Sequence, residues 1–324
     1  MRATAPCAKA KTFAASSSMT NSLRATLAGQ VVGRQREIEL VLASLAADRH
    51  VLLEGPPGTG KSTLLRAVAQ GLGIGFEFVE GNAELTPARL VGHFDPARVL
   101  SDGYDPSVFV DGPLVTAMRE GSLLYVEEIN RIPEETLNVL ITVMSEGEIN
   151  VPRLGRIAAS PGFRLVAAMN PFDAVGTARI SGAIYDRVCR VSMTYQSADD
   201  EVAIVRRNTE GSLLDDLFVS RAVKVVRLTR SHPDLRVGSS VRGAVDFAKV
   251  AVSLGELREQ PVANPSVGLD AALVALSGRV RVREGSVRTS EEIVTEIWQD
   301  VFGRTDSESG EGKVGAPTRG TTSL

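Results

Sequence analysis

An eight-residue glycine-rich segment, GPPGTGKS (Gly55 to Ser62), limits the possible folds of this chain more than any other feature. It fits the pattern G-x-x-x-x-G-K-[S/T] in full, and it lies between an apolar run, HVLLEG, and a helical pattern, KSTLLRAVAQGLG. Glycines let backbone N–H groups curve around phosphate oxygens, and a helix that begins there directs its positive end at them. The sequence therefore predicts a strand–loop–helix unit that binds nucleotide phosphates.

Two side chains of this segment have separate chemical tasks. Lys61 can reach the β- and γ-phosphates, and Ser62 can offer its hydroxyl to a magnesium ion. The alternative is a glycine-rich turn with a chance lysine, but the strand and helix on either side favour the phosphate site. We expect ATP and Mg²⁺ as the bound groups, with these residues around the phosphates: Gly55, Pro56, Pro57, Gly58, Thr59, Gly60, Lys61, Ser62 and Thr63.

Short apolar runs along the chain predict the strands of a parallel sheet. Helical patterns separate several of them, so the expected fold is α/β with helices on both faces of the sheet. Ligands of such sheets bind beyond the carboxyl ends of the strands. The runs are HVLLEG (50–55), GFEFVEG (75–81), GSLLYVEE (121–128), GFRLVAAMN (162–170) and DRVCRVSM (186–193).

Two glutamates end the third predicted strand. A nucleotide hydrolase needs an acid near its magnesium ion and a group that polarises the attacking water. Successive residues at a strand end point in different directions, so Glu127 and Glu128 can serve these two tasks separately. We expect Glu127 to hold the ion and Glu128 to act on the water. The alternative is a solvated strand end before the helical pattern RIPEETLNVLITVM.

A polar amide ends the fourth predicted strand. Asn170 follows the apolar run LVAAM, and its side chain could hydrogen-bond the γ-phosphate or the attacking water. An asparagine before Pro171 is otherwise an ordinary turn signal. Position at the strand end favours the functional role.

The composition is that of a globular chain and excludes several classes of site. Of 324 residues, 43% are hydrophobic and 23% are charged, which allows one large or two ordinary domains. The net charge of −3 argues against a nucleic-acid motor, and the basic patches RRN (206–208) and RVRVREGSVR (279–288) are expected to be lid surface or subunit contacts. Cys7, Cys189 and three scattered histidines predict no metal site.

The two ends differ from the middle of the chain. Residues 1–22 carry basic residues without a sustained apolar core, and residues 303–324 are rich in Gly, Ser, Thr and charge, so both are predicted to be disordered tails, with Met19 as an alternative start. Residues 23–195 predict the α/β core and residues 196–302 a helical domain. No apolar run is long enough for a membrane span, so a cytoplasmic location is expected.

Four segments in this order, GPPGTGKS, LLYVEEINR, LVAAMNP and IYDRV, resemble those of AAA+ ATPases. The combination of EINR, ITVMSEGEI and AAMNP resembles the MoxR-like group, which is related to magnesium chelatase ATPase subunits. The resemblance extends from Val31 to about Trp298. It implies an AAA+ P-loop NTPase core with a C-terminal all-helical lid domain, and Mg²⁺-dependent hydrolysis of ATP.

The resemblance also assigns residues and segments around the site. VVGRQREIEL resembles the segment that holds adenine, through Val32 and Gly33, and Asn170 lies where the family has its sensor 1. The segment from residue 84 to residue 114 resembles the helix-2 insert, and GEINVPRLGRIAASPGF resembles the hairpin that precedes sensor 1. The alternative for VVGRQREIEL is a loop that leads into an amphipathic helix.

Two arginines resemble the family's phosphate-sensing residues. Arg187 in YDRV resembles the arginine finger supplied to a neighbouring subunit's nucleotide, and Arg242 in GSSVRGAVDF resembles sensor 2. A guanidinium can pair with γ-phosphate oxygens and stabilise developing charge. The alternatives are a surface ion pair between Arg187 and Asp186 and a solvated helix position for Arg242.

The partners are likewise what the resemblance implies. They are further copies of the chain in a ring of six, and a client protein, with a von Willebrand factor A domain protein as a possible companion. The family's work is client maturation or metal-cofactor insertion. Glu127 stands where the family usually has aspartate, which leaves open a nucleotide-gated binding scaffold with little turnover. A metal chelatase motor subunit is a third possibility.

Overall fold

A computed structural model describes residues 17–171, 182–212 and 214–303 of the chain. The chain forms two compact units, which meet in sequence between Asp200 and Glu201. None of the described helices combines the length and the apolar content that crossing a bilayer requires. Cys7 and the predicted tail segments 1–16 and 304–324 lie outside the described residues.

The first unit alternates helices with strands. In chain order its elements are α1 (Ser17–Gln30), α2 (Gln35–Ala46), β1 (His50–Glu54), α3 (Lys61–Leu72), β2 (Phe76–Glu80), α4 (Pro87–Val91), β3 (Gly92–Phe94), α5 (Pro96–Asp102), β4 (Phe109–Asp111), α6 (Pro113–Glu120), β5 (Leu123–Glu127), α7 (Glu134–Glu146), β6 (Glu148–Val151), β7 (Gly155–Ala158), β8 (Arg164–Met169), α8 (Gly182–Tyr185) and β9 (Val188–Ser192).

A five-stranded parallel sheet organises this unit, in the order β2-β5-β8-β1-β9. All five strands predicted from the apolar runs are present. Their register brings the carboxyl ends together, since Glu54 is level with Met169 and with Ser192, and Glu80 is level with Glu127. The predicted site residues that follow β1, β5 and β8 therefore lie at the carboxyl edge of the sheet, as expected for a parallel α/β fold, whereas Arg187 precedes β9 at the opposite edge.

Both faces of the sheet are buried at its central strands β1, β5 and β8, which explains why these strands are nearly continuous apolar runs. Val51 and Leu53 of β1 pack into one hydrophobic cluster, with α1, α2 and α3, while Leu52 packs into a second cluster on the other face. The same alternation separates Tyr125 from Val126 on β5. Alternate residues of a strand face opposite sides of the sheet. Because both sides are buried here, both sets of residues are apolar.

Helix α1 differs from the prediction of a disordered tail over residues 1–22, because it begins at Ser17. Leu27 is fully buried, and Leu23 packs against the same cluster, close to Gly71 of α3. A helix needs several turns to be stable, so the turns that carry these two leucines extend back into the polar serine-rich segment. The segment's composition, without its packing partner, gave no sign of this.

Two short antiparallel strand pairs lie in the segments that connect strands of the sheet. Strand β3 pairs with β4 in the predicted insert, and β6 pairs with β7 in the predicted hairpin before β8. Helix α5 lies between β3 and β4 in the chain. Phe94 packs edge-to-face on Tyr104 and on Phe109, with ring centroids 5.2 Å apart in each pair.

The second unit is built on helices around its own core. Phe218, Phe247, Trp298 and Phe302 contribute aromatic contacts to that core. Helix α9 (Ala198–Asn208) leads into it, and the elements that follow are α10 (Asp216–Ser231), β10 (Leu235–Val237), α11 (Val241–Arg258), α12 (Pro265–Leu276), β11 (Arg281–Val282) and α13 (Ser290–Phe302).

The predicted helical lid is thus present, with one difference from an all-helical domain. Strand β10 pairs with β11 in an antiparallel ribbon, in which Leu235 is level with Val282. These strands have three and two residues. A period-two pattern needs more residues than that to be visible in a sequence, so they were not predicted.

Candidate active site

The phosphate loop connects β1 to α3, and its glycines are required for different reasons. Gly58 and Gly60 have φ of 74° and 85°, in the left-handed region that favours glycine. A Cβ at Gly55 would instead overlap the carbonyl oxygen of Met193. The predicted pattern therefore corresponds to a loop that needs glycine at these three positions.

Two side chains of the loop stabilise its curved backbone through hydrogen bonds to carbonyl oxygens. Lys61 Nζ donates hydrogen bonds to the carbonyl oxygens of Gly55 and Pro56, at 2.8 and 3.1 Å. Thr59 Oγ1 donates to the Pro56 carbonyl oxygen at 3.0 Å. Helix α3 begins at Lys61, so its N-terminal dipole adds to the ammonium charge over the loop. This arrangement suits an anionic ligand.

The two predicted magnesium-binding residues meet in the structure. Ser62 Oγ donates to Glu127 Oε1 at 3.0 Å, and it lies 3.2 Å from the hydroxyl of Tyr125. Burial raises the pKa of Tyr125, so its phenol stays protonated. A hydroxyl beside a carboxylate is the hard-oxygen donor set that Mg²⁺ uses when it is also bound to phosphates. The residues present therefore fit a magnesium ion with its nucleotide.

Glu128 has an unusual backbone conformation. Its φ of 52° and ψ of 45° lie in the left-handed region, which costs a residue with a side chain about 1–2 kcal/mol. Its carboxylate is 3.0 Å from Arg131 Nε. Gly81 donates its N–H to the Glu127 carbonyl oxygen at 2.7 Å, and a Cβ there would overlap the Glu128 carbonyl oxygen. The end of β2 thus fixes the turn that carries Glu128.

Asn170 directly follows β8, beside the phosphate loop. The N–H of Gly55 donates to the carbonyl oxygen of Met169 at 3.2 Å, which joins the start of the loop to the end of β8. Asn170 is half-buried at this junction. Its role toward a nucleotide stays a prediction.

The predicted adenine segment is a turn between α1 and α2. Gly33 has φ of 66°, and a Cβ there would overlap the Asp200 carboxylate. Val32 and Gly33 are both half-buried. Since no side chain fits at Gly33, the backbone at this turn is as constrained as the phosphate loop.

Arg34 is a functional candidate that sequence reasoning missed. Only 2% of its surface is exposed. Its guanidinium donates to the carbonyl oxygens of Thr59 and Thr194, at 2.9 and 2.6 Å, and to Glu37 at 2.9 Å. This side chain joins the adenine segment to the phosphate loop. In the sequence it is a charged residue at a helix start, a position that is usually solvated.

Arg187 lies beyond α8 and contacts α7. Its Nε donates to Ser145 Oγ at 2.5 Å, and its Nη1 donates to the Ala183 carbonyl oxygen at 2.7 Å. Asp186 is 4.0 Å from the same guanidinium and is itself largely exposed, so this ion pair contributes little. The alternative of a simple surface ion pair therefore does not account for the position of Arg187.

A buried carboxylate at the start of the phosphate loop was also missed. Glu54 is 3% exposed, accepts a hydrogen bond from the Tyr185 hydroxyl at 2.6 Å and is paired with Arg190. Burial, with the hydrogen bond to Glu54, raises the pKa of Tyr185 to about 12. Glu54 ends an otherwise apolar strand, and its position next to Gly55 was the available signal.

Arg242 is exposed at the second position of α11, in the second unit. The turn before it is tightly held. Ser239 donates its N–H to Thr229 Oγ1 at 2.9 Å, and its carbonyl oxygen accepts from Arg230 Nε at 2.8 Å. Ser240 is the N-cap residue and its side chain makes no capping hydrogen bond. These hydrogen bonds therefore fix the backbone at the start of α11, from which Arg242 extends.

Comparisons with known proteins agree with this geometry. Residues 50–188 match the family described as AAA domain (dynein-related subfamily). The chain is 28% identical over 261 residues to the uncharacterized protein YeaC of Bacillus subtilis, covering 72% of this chain and 78% of that protein. It is 31% identical over 207 residues to an uncharacterized protein of Staphylococcus haemolyticus, covering 62% of this chain and 77% of that one.

Solved structures show the same fold. A proposed ATPase from Cytophaga hutchinsonii covers 88% of this chain, and 94% of its own length, with 19% identity and a TM-score of 0.50. A RuvB variant from Thermotoga maritima covers 78% of this chain, and 73% of its own length, with 18% identity and a TM-score of 0.53. The sheet order, the phosphate loop and the family match lead to one conclusion: the chain belongs to the AAA+ family of P-loop ATPases.

Proposed function

We propose that the protein is a Mg²⁺-dependent ATPase of the MoxR type that remodels a client protein. The observation that carries this proposal is the hydrogen bond between Ser62 and Glu127 at the end of the phosphate loop. It supports a complete ion site despite the glutamate at a position where the family usually has aspartate. Glutamate is one methylene longer, and the contact with Ser62 is made without distortion of β5.

The residues of the site divide the work. Ser62 and Glu127 would hold Mg²⁺, which when bound neutralises charge on the β- and γ-phosphate oxygens. Lys61 would exchange its bonds to the loop carbonyls for bonds to phosphate. Glu128 would accept a hydrogen bond from the attacking water and orient it, and Asn170 would help to fix that water.

Glu128 needs a local rearrangement before it can act on water. Its carboxylate is held by Arg131 at 3.0 Å, in the left-handed backbone conformation described above. An ion pair with this degree of exposure is worth about 0–1 kcal/mol, so nucleotide binding can displace it. Arg131 would then act as a restraint on hydrolysis until the site is filled.

Arg187 would act on the nucleotide of a neighbouring subunit. Its hydrogen bonds go to α7 and to its own turn, and not to the phosphate loop of the same chain. A guanidinium supplied from outside makes hydrolysis depend on assembly. This supports a homo-oligomeric ring, six-membered by resemblance to the family. By resemblance to the family, Arg242 would act as sensor 2.

The insert would contact the client. Leu100 on α5 is 91% exposed, and Tyr104, four residues later in the chain, is 48% exposed, so the insert presents apolar side chains to solvent. Surfaces of this kind are common at protein interaction sites. By family resemblance the client work would be maturation or metal-cofactor insertion, with a von Willebrand factor A domain protein as companion. A chelatase motor would use the same core.

A nucleotide-gated scaffold with little turnover is the second candidate. The pairing of Glu128 with Arg131 favours it, together with Glu127 in place of aspartate. Hydrolysis distinguishes the two, since a scaffold binds Mg·ATP without releasing phosphate. A steady-state phosphate-release assay, with and without a candidate companion protein, therefore tests the choice directly.

Client capture tests the remodelling part of the proposal. Glu128→Gln protein in ATP is the bait, and co-purifying proteins are identified. Leu100→Asp in the same bait should lose the client, because a charge replaces the most exposed apolar side chain of the insert. Val287→Asp is the matched control, since Val287 is 99% exposed in the second unit. Equal capture by both baits would contradict a role for the insert.

A further inference from the structure

Glu54 is a buried charged group for which the hydrolytic roles above have no use. It ends β1, and the next residue, Gly55, accepts a hydrogen bond from Lys61 at 2.8 Å. A buried carboxylate is costly unless hydrogen bonds and charges compensate it. An apolar residue would suit this strand equally well, so the partners of Glu54 indicate what it does.

Those partners come from α8 and β9. Arg190 lies on β9 next to β1, and 57% of its side chain is exposed, so it supplies charge at a partly solvated position. Tyr185 is the last residue of α8, and its hydroxyl donates to Glu54 Oε1 at 2.6 Å. The tyrosine bond is therefore the one that ties α8 to the start of the phosphate loop.

Helix α8 depends on such ties for its orientation. It has four residues, which is too short for stability of its own. Ile184 anchors it in the core, where it is fully buried, and the Tyr185 hydroxyl fixes its rotation. Arg187 follows directly, with its N–H bonded to Ile184 at 3.0 Å and its guanidinium bonded to Ala183 at 2.7 Å. The backbone of Arg187 thus follows α8, while its guanidinium is also held by the hydrogen bond to Ser145 of α7.

We propose that Glu54 and Tyr185 are positioning residues that set the reach of Arg187 toward the nucleotide of a neighbouring subunit. The inference rests on the proposed trans action of Arg187. It adds a link within one subunit. The hydrogen bond between Glu54 and Tyr185 connects the start of the phosphate loop to Arg187, the arginine that this subunit supplies to its neighbour. Loss of the Tyr185 hydroxyl then impairs the neighbour's turnover and spares the subunit's own nucleotide binding.

Two-chain mixtures test this. An Arg187→Ala chain keeps the nucleotide site and lacks the arginine, and a Lys61→Ala chain supplies the arginine and lacks the nucleotide site. Their equimolar mixture should recover ATP turnover. Tyr185→Phe, which removes only the hydroxyl, is then introduced into one chain at a time. The turnover of each mixture is measured, together with the ATP affinity of the single Tyr185→Phe protein.

If the inference holds, Tyr185→Phe lowers turnover when it is in one chain and leaves turnover nearly unchanged when it is in the other. In the Lys61→Ala chain, which supplies the arginine, Tyr185→Phe should lower recovered turnover about tenfold through misplacement of Arg187. In the Arg187→Ala chain, turnover should change less than about twofold, and so should the ATP affinity of the single variant.

Other patterns overturn the inference. A loss confined to the Arg187→Ala chain would show that the hydroxyl serves its own phosphate loop, and equal losses in both chains would show a general structural role. Unchanged turnover in both would show no role in positioning. If the mixture with Tyr185 intact recovers nothing, the trans action of Arg187 is itself wrong, which is a separate and recognisable failure.

Discussion

Ser62 Oγ donates a hydrogen bond to Glu127 Oε1 at 3.0 Å, across 65 residues of sequence. Ser62 ends the phosphate loop, which follows β1, and Glu127 ends β5. Strand β8 lies between β1 and β5 in the sheet. The parallel register brings the two together at the carboxyl edge. This contact supports the proposal that the phosphate loop and the acidic strand end bind Mg²⁺ together.

Changes at Glu127 should therefore act through magnesium. Glu127→Gln removes the negative charge and keeps the shape, so the magnesium concentration for half-maximal turnover should rise about tenfold, equivalent to about 1.4 kcal/mol. Glu127→Asp keeps the charge and should retain turnover at saturating magnesium. Hydrolysis measured across a magnesium titration checks both. An unchanged magnesium requirement in Glu127→Gln would remove Glu127 from the ion site.

Arg34 should matter for both stability and nucleotide affinity. Arg34→Met leaves the carbonyl oxygens of the buried Thr59 and of Thr194 without their donor, which should cost about 1–3 kcal/mol of unfolding free energy. Because Thr59 belongs to the phosphate loop, ATP affinity should fall as well. Denaturant unfolding and calorimetric titration measure the two effects.

Arg36→Met is the matched control for Arg34, since Arg36 lies two residues away and is exposed. It should leave both quantities near the wild-type values, because surface substitutions usually change stability by less than about 0.5 kcal/mol. If Arg34→Met behaves like this control, the buried guanidinium does not brace the phosphate loop.

His50 should make stability depend on pH. Its Nδ1 accepts a hydrogen bond from the Leu165 N–H at 2.9 Å, and burial, assisted by Arg49, lowers its pKa to about 4. The unfolded chain takes up this proton below about pH 6.5 and the folded chain only below about 4. The contribution of His50 to stability is therefore full above pH 6.5 and is lost as the pH falls toward 4. At pH 5 the loss should be at most about 2 kcal/mol.

Unfolding free energies at pH 7 and pH 5 check this prediction. His50→Asn keeps an acceptor for the Leu165 N–H and does not titrate, so the difference between the two pH values should shrink by about 2 kcal/mol. His93→Asn, at an exposed position on β3, should leave the difference unchanged. An equal pH response in wild type and His50→Asn would contradict the argument.

The sheet and the phosphate site could be predicted because their signals are local. The central strands β1, β5 and β8 are apolar runs with burial on both faces, and the loop pattern is fixed by the backbone geometry of Gly58 and Gly60. The rule that ligands lie beyond parallel strand ends then brought Ser62, Glu127 and Asn170 to one edge. The family match and the fold comparisons support the predicted fold, and the roles of these three residues stay predictions.

Arg34 and Glu54 could not be predicted, because charged residues are usually exposed and nothing nearby in sequence marks their partners. Arg34 has one partner nearby in sequence, Glu37, but its two carbonyl acceptors, at Thr59 and Thr194, and the Tyr185 donor of Glu54 are more than 20 residues away. The left-handed conformation of Glu128 is likewise a tertiary effect, since the close approach of Gly81 holds that turn in place.

The central claim is that the two glutamates of LLYVEEINR divide the work, and Glu128→Gln tests it most directly. Phosphate release is measured at saturating Mg·ATP for the wild type and for this variant, with ATP affinity measured in parallel. The account predicts that the wild type turns over ATP, and that Glu128→Gln binds ATP equally well and hydrolyses it about 10²–10⁴-fold more slowly. Wild-type rates in Glu128→Gln, or no hydrolysis by the wild type at any magnesium concentration, would contradict it.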